Sequence, residues 1–298
     1  MKIQKTFFLA CIPLVLLALL ISACSSPGNA GSSSNLTVLQ VLQNSATAMQ
    51  KLKSSHIDFS LTGSANASGT ATPASSTSPT GISFSVKGNG DEELPNESLH
   101  ITTMQGTNLA EIVLGSKVYV QNAKGQWYVL DKSSLQGMTG NPFAGIDISN
   151  INDILALAQH AQITDHGDQN LNGQSLRHIT IALDKQGLQQ LLTQNGQLDG
   201  VIGQQNVNTI INGTQGFNST LDIWIDETQF YVHRTELKLN VNANLSVATA
   251  TTGGNVPANV STTIDSIVDL SKFNETVTIM APANAIPTTN PVSIFTGQ

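Results

Sequence analysis

The spacing of hydrophobic residues changes once along the chain, from a helical period to the period of β-strands. From Asn35 to Lys53, apolar residues recur every three or four positions, which predicts an amphipathic helix with Asn35 as its N-cap. After this helix, apolar and polar residues alternate, as they do in half-buried strands. The first alternating sets are Ile57, Phe59 and Leu61, then Ile82, Phe84 and Val86, then Leu99 and Ile101.

Turn residues divide the middle of the chain into short strands. Gly115-Ser116 and Lys124-Gly125 predict tight turns, and Asn172-Gly173 is a strong hairpin signal because both residues tolerate positive φ. The predicted strands around these turns carry Ile112 and Leu114, Val118 and Val120, Trp127 to Leu130, Ile163 to Leu171 and Gln174 to Leu183.

The last third of the chain continues the alternation. Leu221, Ile223 and Ile225 share one strand face, so Trp224 is predicted on the other face. The remaining predicted strands are Tyr231 to Asn242 and Val260 to Leu270. Two further helices are predicted. One runs from Asn150 to Ala161 with Ser149 as its N-cap, and the other begins after Asp184 as its N-cap and ends at Leu192. Predicted loops or insertions are Ser64 to Thr80, Gly196 to Asn218 and Thr249 to Pro257.

About ten strands and three helices predict an α+β domain built on an antiparallel sheet, spanning residues 35–282 and followed by a tail at 283–298. The strands present more apolar side chains on one face than three helices can cover. The sheet can close over a filled core, or it can stay half open over a pocket that holds an apolar ligand. Counting residues does not decide between these two outcomes.

Composition excludes one class of partner. The chain carries 13 Lys and Arg against 20 Asp and Glu, a net charge of −7, and only 11% of its residues are charged. An acidic surface repels phosphate backbones, so nucleic-acid binding is not expected. A low charge with abundant polar uncharged residues is typical of exported β-rich proteins.

The N-terminus predicts export and lipid attachment. A basic start containing Lys2 and Lys5 precedes an apolar run from Phe7 to Ala23, which is shorter than the roughly 20 residues of a spanning helix. The run ends in residues 20–24, Leu-Ile-Ser-Ala-Cys, which resemble a bacterial lipobox. We therefore predict a signal peptide at 1–23 and a lipid-modified Cys24 with a flexible tether at 24–34. An ordinary signal peptide or an uncleaved anchor are the alternatives.

Candidate chemistry elsewhere is sparse. Asp165-His166-Gly167-Asp168 is the one cluster that resembles metal ligands, and a solvated loop is the preferred interpretation because no second His follows at helical spacing. No nucleophile elbow, phosphate-binding loop or dinucleotide-binding glycine pattern occurs. The sequence therefore predicts no catalytic residues, no metal and no cofactor, and the protein is expected not to be an enzyme.

The order of these features resembles the LolA/LolB-like bacterial lipoproteins, and most closely the LppX/LprG family. The residues that carry the resemblance are Ala46 to Lys53 leading into His56 to Phe59, Lys117 to Val120 with Gly125 to Tyr128, the helix near Asn150, Asn172-Gly173 before His178 to Ile181, Leu221 to Asp226, and Leu270 to Glu275. The resemblance implies a strongly curved antiparallel half-barrel around helices, with an apolar cavity for acyl chains. It supplies no ligand-contacting residues.

These observations predict an envelope lipoprotein on the extracytoplasmic side of a membrane, anchored through Cys24, which binds or carries lipid or an acylated ligand. The alternative is a non-catalytic cell-surface interaction or structural module with a filled core.

Overall fold

The computed structural model describes residues 34–69, 81–103, 106–135, 151–158, 161–187, 189, 212–248, 255–290 and 294. Within them, two α-helices are α1 (Val38–Met49) and α2 (Ile151–Leu157), with a 3₁₀-helix at Lys132–Leu135. The strands are β1 (Ser54–Gly69), β2 (Gly81–Glu93), β3 (Asn96–Thr103), β4 (Asn108–Leu114), β5 (Lys117–Gln121), β6 (Trp127–Asp131), β7 (Ala161–Leu171), β8 (Gln174–Leu183), β9 (Thr214–Ile225), β10 (Val232–Ala248), β11 (Asn255–Ser271) and β12 (Ile286–Pro287).

The twelve strands form one open sheet in the order β12-β6-β5-β4-β3-β2-β1-β11-β10-β9-β8-β7. Neighbouring strands are antiparallel except β12, which lies parallel to β6. Because β7 and β12 lie at the two ends of this order, the sheet does not close into a barrel. The predicted α+β class with an antiparallel sheet is confirmed, with twelve strands where about ten were expected.

The opening helix is shorter than predicted. Thr37, not Asn35, is the N-cap, and its hydroxyl accepts from the amide of Gln40 while the Gln40 side chain accepts from the amide of Thr37. This reciprocal capping box satisfies two amides at the start of the helix. The helix ends at Met49, and residues 50–53 lead into β1.

Helix α1 lies across the ends of several strands. Just before the helix, Ser34 donates to Glu227 in the turn between β9 and β10, and just after it the chain enters β1 at Ser54. Twelve helical residues span about 18 Å. Four strand spacings, from β8 to β1 in the sheet order, span about 19 Å. One face of α1 therefore covers one end of these five strands.

Several strands are longer than the alternation predicted, and three of them extend into predicted loops. β1 continues to Gly69, β9 begins at Thr214 and β11 begins at Asn255, so parts of all three predicted loops are strand. These parts consist mostly of Ser, Thr, Asn, Ala and Gly, which provide little hydrophobic contrast for a period of two. Long antiparallel pairing, such as β1 with β11 from His56 to Gly69, supplies their order instead. Of the other residues in these predicted loops, 212–213 are helical and the rest lie outside the described part of the chain.

The other two predicted helices are present in part. α2 covers Ile151–Leu157, inside the predicted range, while Ser149 lies outside the described residues. Residues 185–187 are helical, and the amide of Gly187 donates to the Asp184 side chain over 2.7 Å, as expected of an N-cap. The tail also packs, since Ile286 and Pro287 pair with β6 and Ile294 is 1% exposed.

The Asn172-Gly173 hairpin is confirmed. Both residues have positive φ, and β7 and β8 pair on either side of them. The two faces of β9 are also as predicted, since Leu221, Ile223 and Ile225 are buried and Trp224 points to the other face.

In β4 the buried and less buried residues alternate in the opposite order to the predicted one. Val113 is buried at 3% exposed, while Ile112 and Leu114 are only partly buried.

The sheet is tightly folded where β2 meets β3. A Cβ added at Gly88 would overlap the carbonyl oxygen of His100, and one at Gly90 would overlap that of Ser98. Backbones that approach this closely accommodate only glycine. The two glycines therefore mark a sharp bend between β1 and β3, in agreement with the predicted curvature.

Candidate functional site

The sheet has an apolar face, here called the inner face, and a polar outer face. Helices α1 and α2 pack on the inner face of β7 to β11 and β1, here called the helix-covered half. Its core is tightly packed, with Ile179, Ile181, Ile223, Ile225 and Leu237 all 0% exposed. This part of the sheet therefore has a filled interior.

The apolar inner face extends beyond the helices in two directions. Along β10 it continues past Leu237 through Leu239, Val241 and Ala243, which are 3–5% exposed and lie outside the cluster formed with α1 and α2.

It also continues across β2 to β6 and β12, here called the second half. Buried residues there are Ile101, Leu109, Val113, Val118, Val120 and Leu130. Among the described residues outside the strands, Ile294 is the one that joins this second cluster.

A buried charge on the helix-covered half is fully paired. Arg177 of β8 is 3% exposed, and its guanidinium contacts Asp165 Oδ2 and Glu227 Oε1 at 2.6 Å each. Ser34 donates to the same Glu227 oxygen over 2.7 Å. Burial acts to raise the pKa of Asp165, but hydrogen bonds and charge from Arg177 outweigh it and lower that pKa. This cluster connects the residue before α1 to β7, β8 and the β9–β10 turn.

A buried carboxyl group on the second half, that of Glu111, lacks such a partner. Glu111 of β4 is 6% exposed, and its Oε2 atom is buried with no hydrogen-bond partner. It occupies an inner-face position, directly opposite Leu99 of β3 and Val120 of β5. A carboxyl group at this position is surrounded mainly by apolar side chains, which solvate the charged form poorly.

The electrostatic surroundings of Glu111 keep it protonated near neutral pH. Burial, with a smaller contribution from the charge of Glu97, raises its pKa to about 8, although Lys132 acts to lower it. Sequence analysis missed this residue because one carboxyl in an alternating strand resembles a solvent-facing position. A usable signal was the apolar pair Leu109 and Val113, which flank it at a spacing of two.

The outer face carries a polar network across β7, β8 and β9. His178 Nε2 lies 2.8 Å from Asp222 Oδ1, Thr180 donates to the same Asp222 oxygen, and His166 Nε2 lies 2.8 Å from the Thr180 hydroxyl. The His178 ring stacks between His166 and Trp224, with ring centroids 4.4 Å and 4.3 Å apart. Burial acts to raise the pKa of Asp222, but hydrogen bonds from His178 and Thr180 lower it.

The sequence Asp165-His166-Gly167-Asp168, for which a solvated loop is the preferred interpretation, lies within β7 instead, and its side chains are split between the two faces. Asp165 binds Arg177 on the inner side, while a bulge between Asp165 and Gly167 sends His166 to the outer face.

His166, His178 and Asp222 do bring three ligand atoms within 4.8 Å of one another. A metal ion lies close to the plane of each imidazole that binds it, and two parallel stacked rings do not share a plane. In this arrangement the stacking disfavours a shared ion.

One groove among the described residues lies on the outer face. Its volume is about 380 Å³, and it is open to solvent between β1, β10 and β11. Thr62, Lys238, Asn240, Thr263 and Asp265 supply its polar lining. It is therefore a different feature from the apolar cavity predicted on the inner face, which stays a prediction.

The predicted lipid-attachment residue, Cys24, lies outside the described residues. Among the residues described, no helix is long and apolar enough to cross a membrane.

Comparison with known proteins identifies structural relatives only. No protein-family model matches the sequence, and no curated protein sequence matches it. The structure is similar to lipoprotein LppX from Mycobacterium tuberculosis, with 14% identity and a TM-score of 0.44, over 83% of this chain and 100% of that one. It is also similar to LprF from Mycobacterium bovis, with 17% identity and a TM-score of 0.41, over 83% of this chain and 97% of that one. Both belong to the group that the sequence resembles.

Proposed function

We propose that the protein is an envelope lipoprotein, anchored on the extracytoplasmic side of a membrane through a lipidated Cys24, that binds acyl chains on its inner face and carries lipid. The observation that supports this proposal is the extent of the apolar inner face. It continues along β10 to Ala243 and across β4 to β6, well beyond the helix-covered half. These residues are 1–8% exposed in the folded chain, and an apolar lining of this extent is typical of sites that bind apolar ligands.

Two residues of β10 offer a matched test. Ala243 is 5% exposed on the inner face, whereas its neighbour Asn242 is exposed on the outer face. A phenylalanine ring at position 243 would occupy space beyond the helix-packed core. We expect Ala243→Phe to weaken binding of a fluorescent fatty acid at least tenfold and Asn242→Phe to leave it unchanged. Equal binding by both folded variants would contradict binding at this part of the inner face.

The anchor has its own test. Cys24→Ala should abolish labelling by an alkyne fatty acid and release the protein as soluble or uncleaved precursor forms. Two or more acyl chains give firm membrane attachment, so losing them is expected to have a large effect on fractionation. Labelling that survives the substitution would remove Cys24 from this proposal.

The alternative, a surface interaction module with a filled core, is favoured by the complete burial of Ile179, Ile181 and Ile223 under the helices. The two proposals differ in whether the rest of the inner face takes up ligand. The Ala243→Phe comparison separates them, since a filled core would lose stability on overpacking without any ligand to lose.

A further inference from the structure

We propose that Glu111 is a ligand-binding residue, whose carboxyl group hydrogen-bonds an uncharged polar group, such as a hydroxyl or ester, of an amphiphile on the inner face. This inference rests on the proposed function and names the chemistry of the ligand. It begins from the unpartnered and buried Oε2 atom in the second half of the sheet.

The position of Glu111 fits an amphiphile whose polar group lies between apolar side chains. In register, Glu111 follows Leu109 and precedes Val113 on the same face of β4, at the middle of the strand and three residue pairs from the turn that joins β4 to β5. Toward the interior, the neighbouring rows are apolar and include Ile101 and Leu109. A ligand whose chain lies along those rows would place its polar group against the Glu111 carboxyl.

Two acidic side chains lie on the β3 side of Glu111. Glu97 of β3 lies opposite Val113, diagonal to Glu111, and Glu92 of β2 lies opposite Glu97 and accepts from Ser55. Lys132, which follows β6, is exposed and supplies a positive charge that acts on Glu111. Glu111 therefore lies where the acidic side chains of β2 and β3 meet the apolar side chains of β4 and β5, and an amphiphile combines the same two chemistries.

The protonation state of Glu111 favours an uncharged ligand group. Its pKa of about 8 keeps the carboxyl protonated at neutral pH, so that it can donate one hydrogen bond and accept others. A protonated acid matches a hydroxyl or carbonyl oxygen, whereas an ammonium group would favour the ionised form. An alkylammonium group would therefore bind more tightly as the pH rises through this pKa, whereas a hydroxyl can hydrogen-bond both forms because it donates as well as accepts.

The test compares three pyrene probes of equal chain length, a pyrenyl-alkane, a pyrenyl-alkanol and a pyrenyl-alkylamine, on the full chain. We expect the wild-type protein to bind the alkanol about fivefold more tightly than the alkane below the pKa, as one net hydrogen bond predicts. The preference should persist two pH units above the pKa of about 8, because the ionised carboxylate accepts a hydrogen bond from the alkanol hydroxyl.

Two variants separate a binding role from a structural one. Glu111→Leu should lose the preference for the alkanol and still bind the alkane. Glu111→Gln keeps an uncharged hydrogen-bonding group, so it should keep the preference for the alkanol over the alkane. Glu275→Gln, at an exposed carboxyl, should behave like the wild type.

Each of three other outcomes would contradict the role of Glu111, and the last would also contradict acyl-chain binding. Binding of the alkane without any preference for the alkanol would overturn the role of Glu111 and leave acyl-chain binding supported. A preference for the alkylamine that grows above the pKa would also overturn it, because the ligand group would then be cationic. If none of the probes binds to the folded protein, acyl-chain binding itself fails, and the role of Glu111 fails with it.

Discussion

The two halves of the inner face differ in whether a buried ionisable group has partners. In the helix-covered half, Arg177 is 3% exposed and is bound by Asp165 and Glu227, with Ser34 completing the cluster. In the second half, Glu111 is 6% exposed and has a carboxyl oxygen with no partner. A buried ionisable group whose hydrogen bonds are all made stabilises one conformation of the fold. A buried ionisable group without a partner costs stability and is a candidate for ligand binding. The comparison predicts that the helix-packed core maintains the fold and that any ligand contacts lie on the apolar inner face beyond that core.

The largest expected effect comes from the helix-covered half. Arg177→Met would leave Glu227, whose side chain is 7% exposed, without its cation. Breaking a buried ion pair in this way costs about 3–5 kcal/mol of unfolding free energy, measurable by urea denaturation. The control is Arg234→Met, because Arg234 binds Asp269 on the outer face with partly exposed side chains. We expect about 1 kcal/mol there, and equal losses would refute the distinction between the two pairs.

The bend that separates the halves is expected to be nearly as sensitive. Gly88→Ala places a Cβ against the His100 carbonyl oxygen, which requires β2 and β3 to move apart. We expect a loss of about 3 kcal/mol, at the upper end of overpacking effects. Gly216→Ala, where nothing lies within 4 Å of the added Cβ, is the matched control. A fully stable Gly88→Ala variant would show that the close approach of β2 and β3 is wrong.

The second half should become more stable when its carboxyl group is neutralised. A carboxyl with a raised folded-state pKa stabilises the fold fully below its unfolded pKa, and this contribution is lost as pH rises. For Glu111 the window runs from the ordinary value of 4.5 to about 8. Glu111→Gln should therefore gain about 2 kcal/mol at pH 6 and flatten this part of the pH profile.

One result of this substitution would contradict the prediction. If Glu111→Gln lowered stability at pH 8, the carboxylate would be making favourable contacts, and the contrast with Arg177 would disappear. Glu275→Gln, at an exposed site, is the control and should change the pH profile little.

The smallest expected effect concerns a hydroxyl within the helix-covered core. Thr235 is 1% exposed, lies between Ile223 and Val268 in register, and its Oγ1 atom has no hydrogen-bond partner. Thr235→Val should stabilise the protein by about 1 kcal/mol in thermal or urea unfolding, because it removes an unsatisfied polar group without changing the shape. Thr263→Val, at an exposed hydroxyl that contacts Ser64, should give no gain.

Much of the fold could be predicted from hydrophobic period and turn chemistry. The alternation of Leu221, Ile223 and Ile225 gave the correct inner face, and Asn172-Gly173 gave the correct hairpin. Both signals are local, so a single sequence contains them in full. The limits of strands were less predictable, since β1 and β11 continue through polar residues that long-range pairing orders.

The candidate site was harder to predict than the fold. Glu111 breaks the apolar alternation of β4, and sequence analysis placed Ile112 and Leu114 on the apolar side instead. Arg177 and Glu227 lie 50 positions apart and meet only because β8 and β9 are neighbours. Residues with unfavourable local patterns are common at functional sites, where tertiary contacts override local preference.

Native mass spectrometry of the protein after mild purification tests the central claim most directly. If the inner face binds acyl chains, the folded protein should carry a non-covalent lipid mass, and a fluorescent fatty acid should displace it. A protein that carries no non-covalent lipid, and that binds no fatty acid in competition, would contradict the claim that the apolar inner face is a lipid-binding surface.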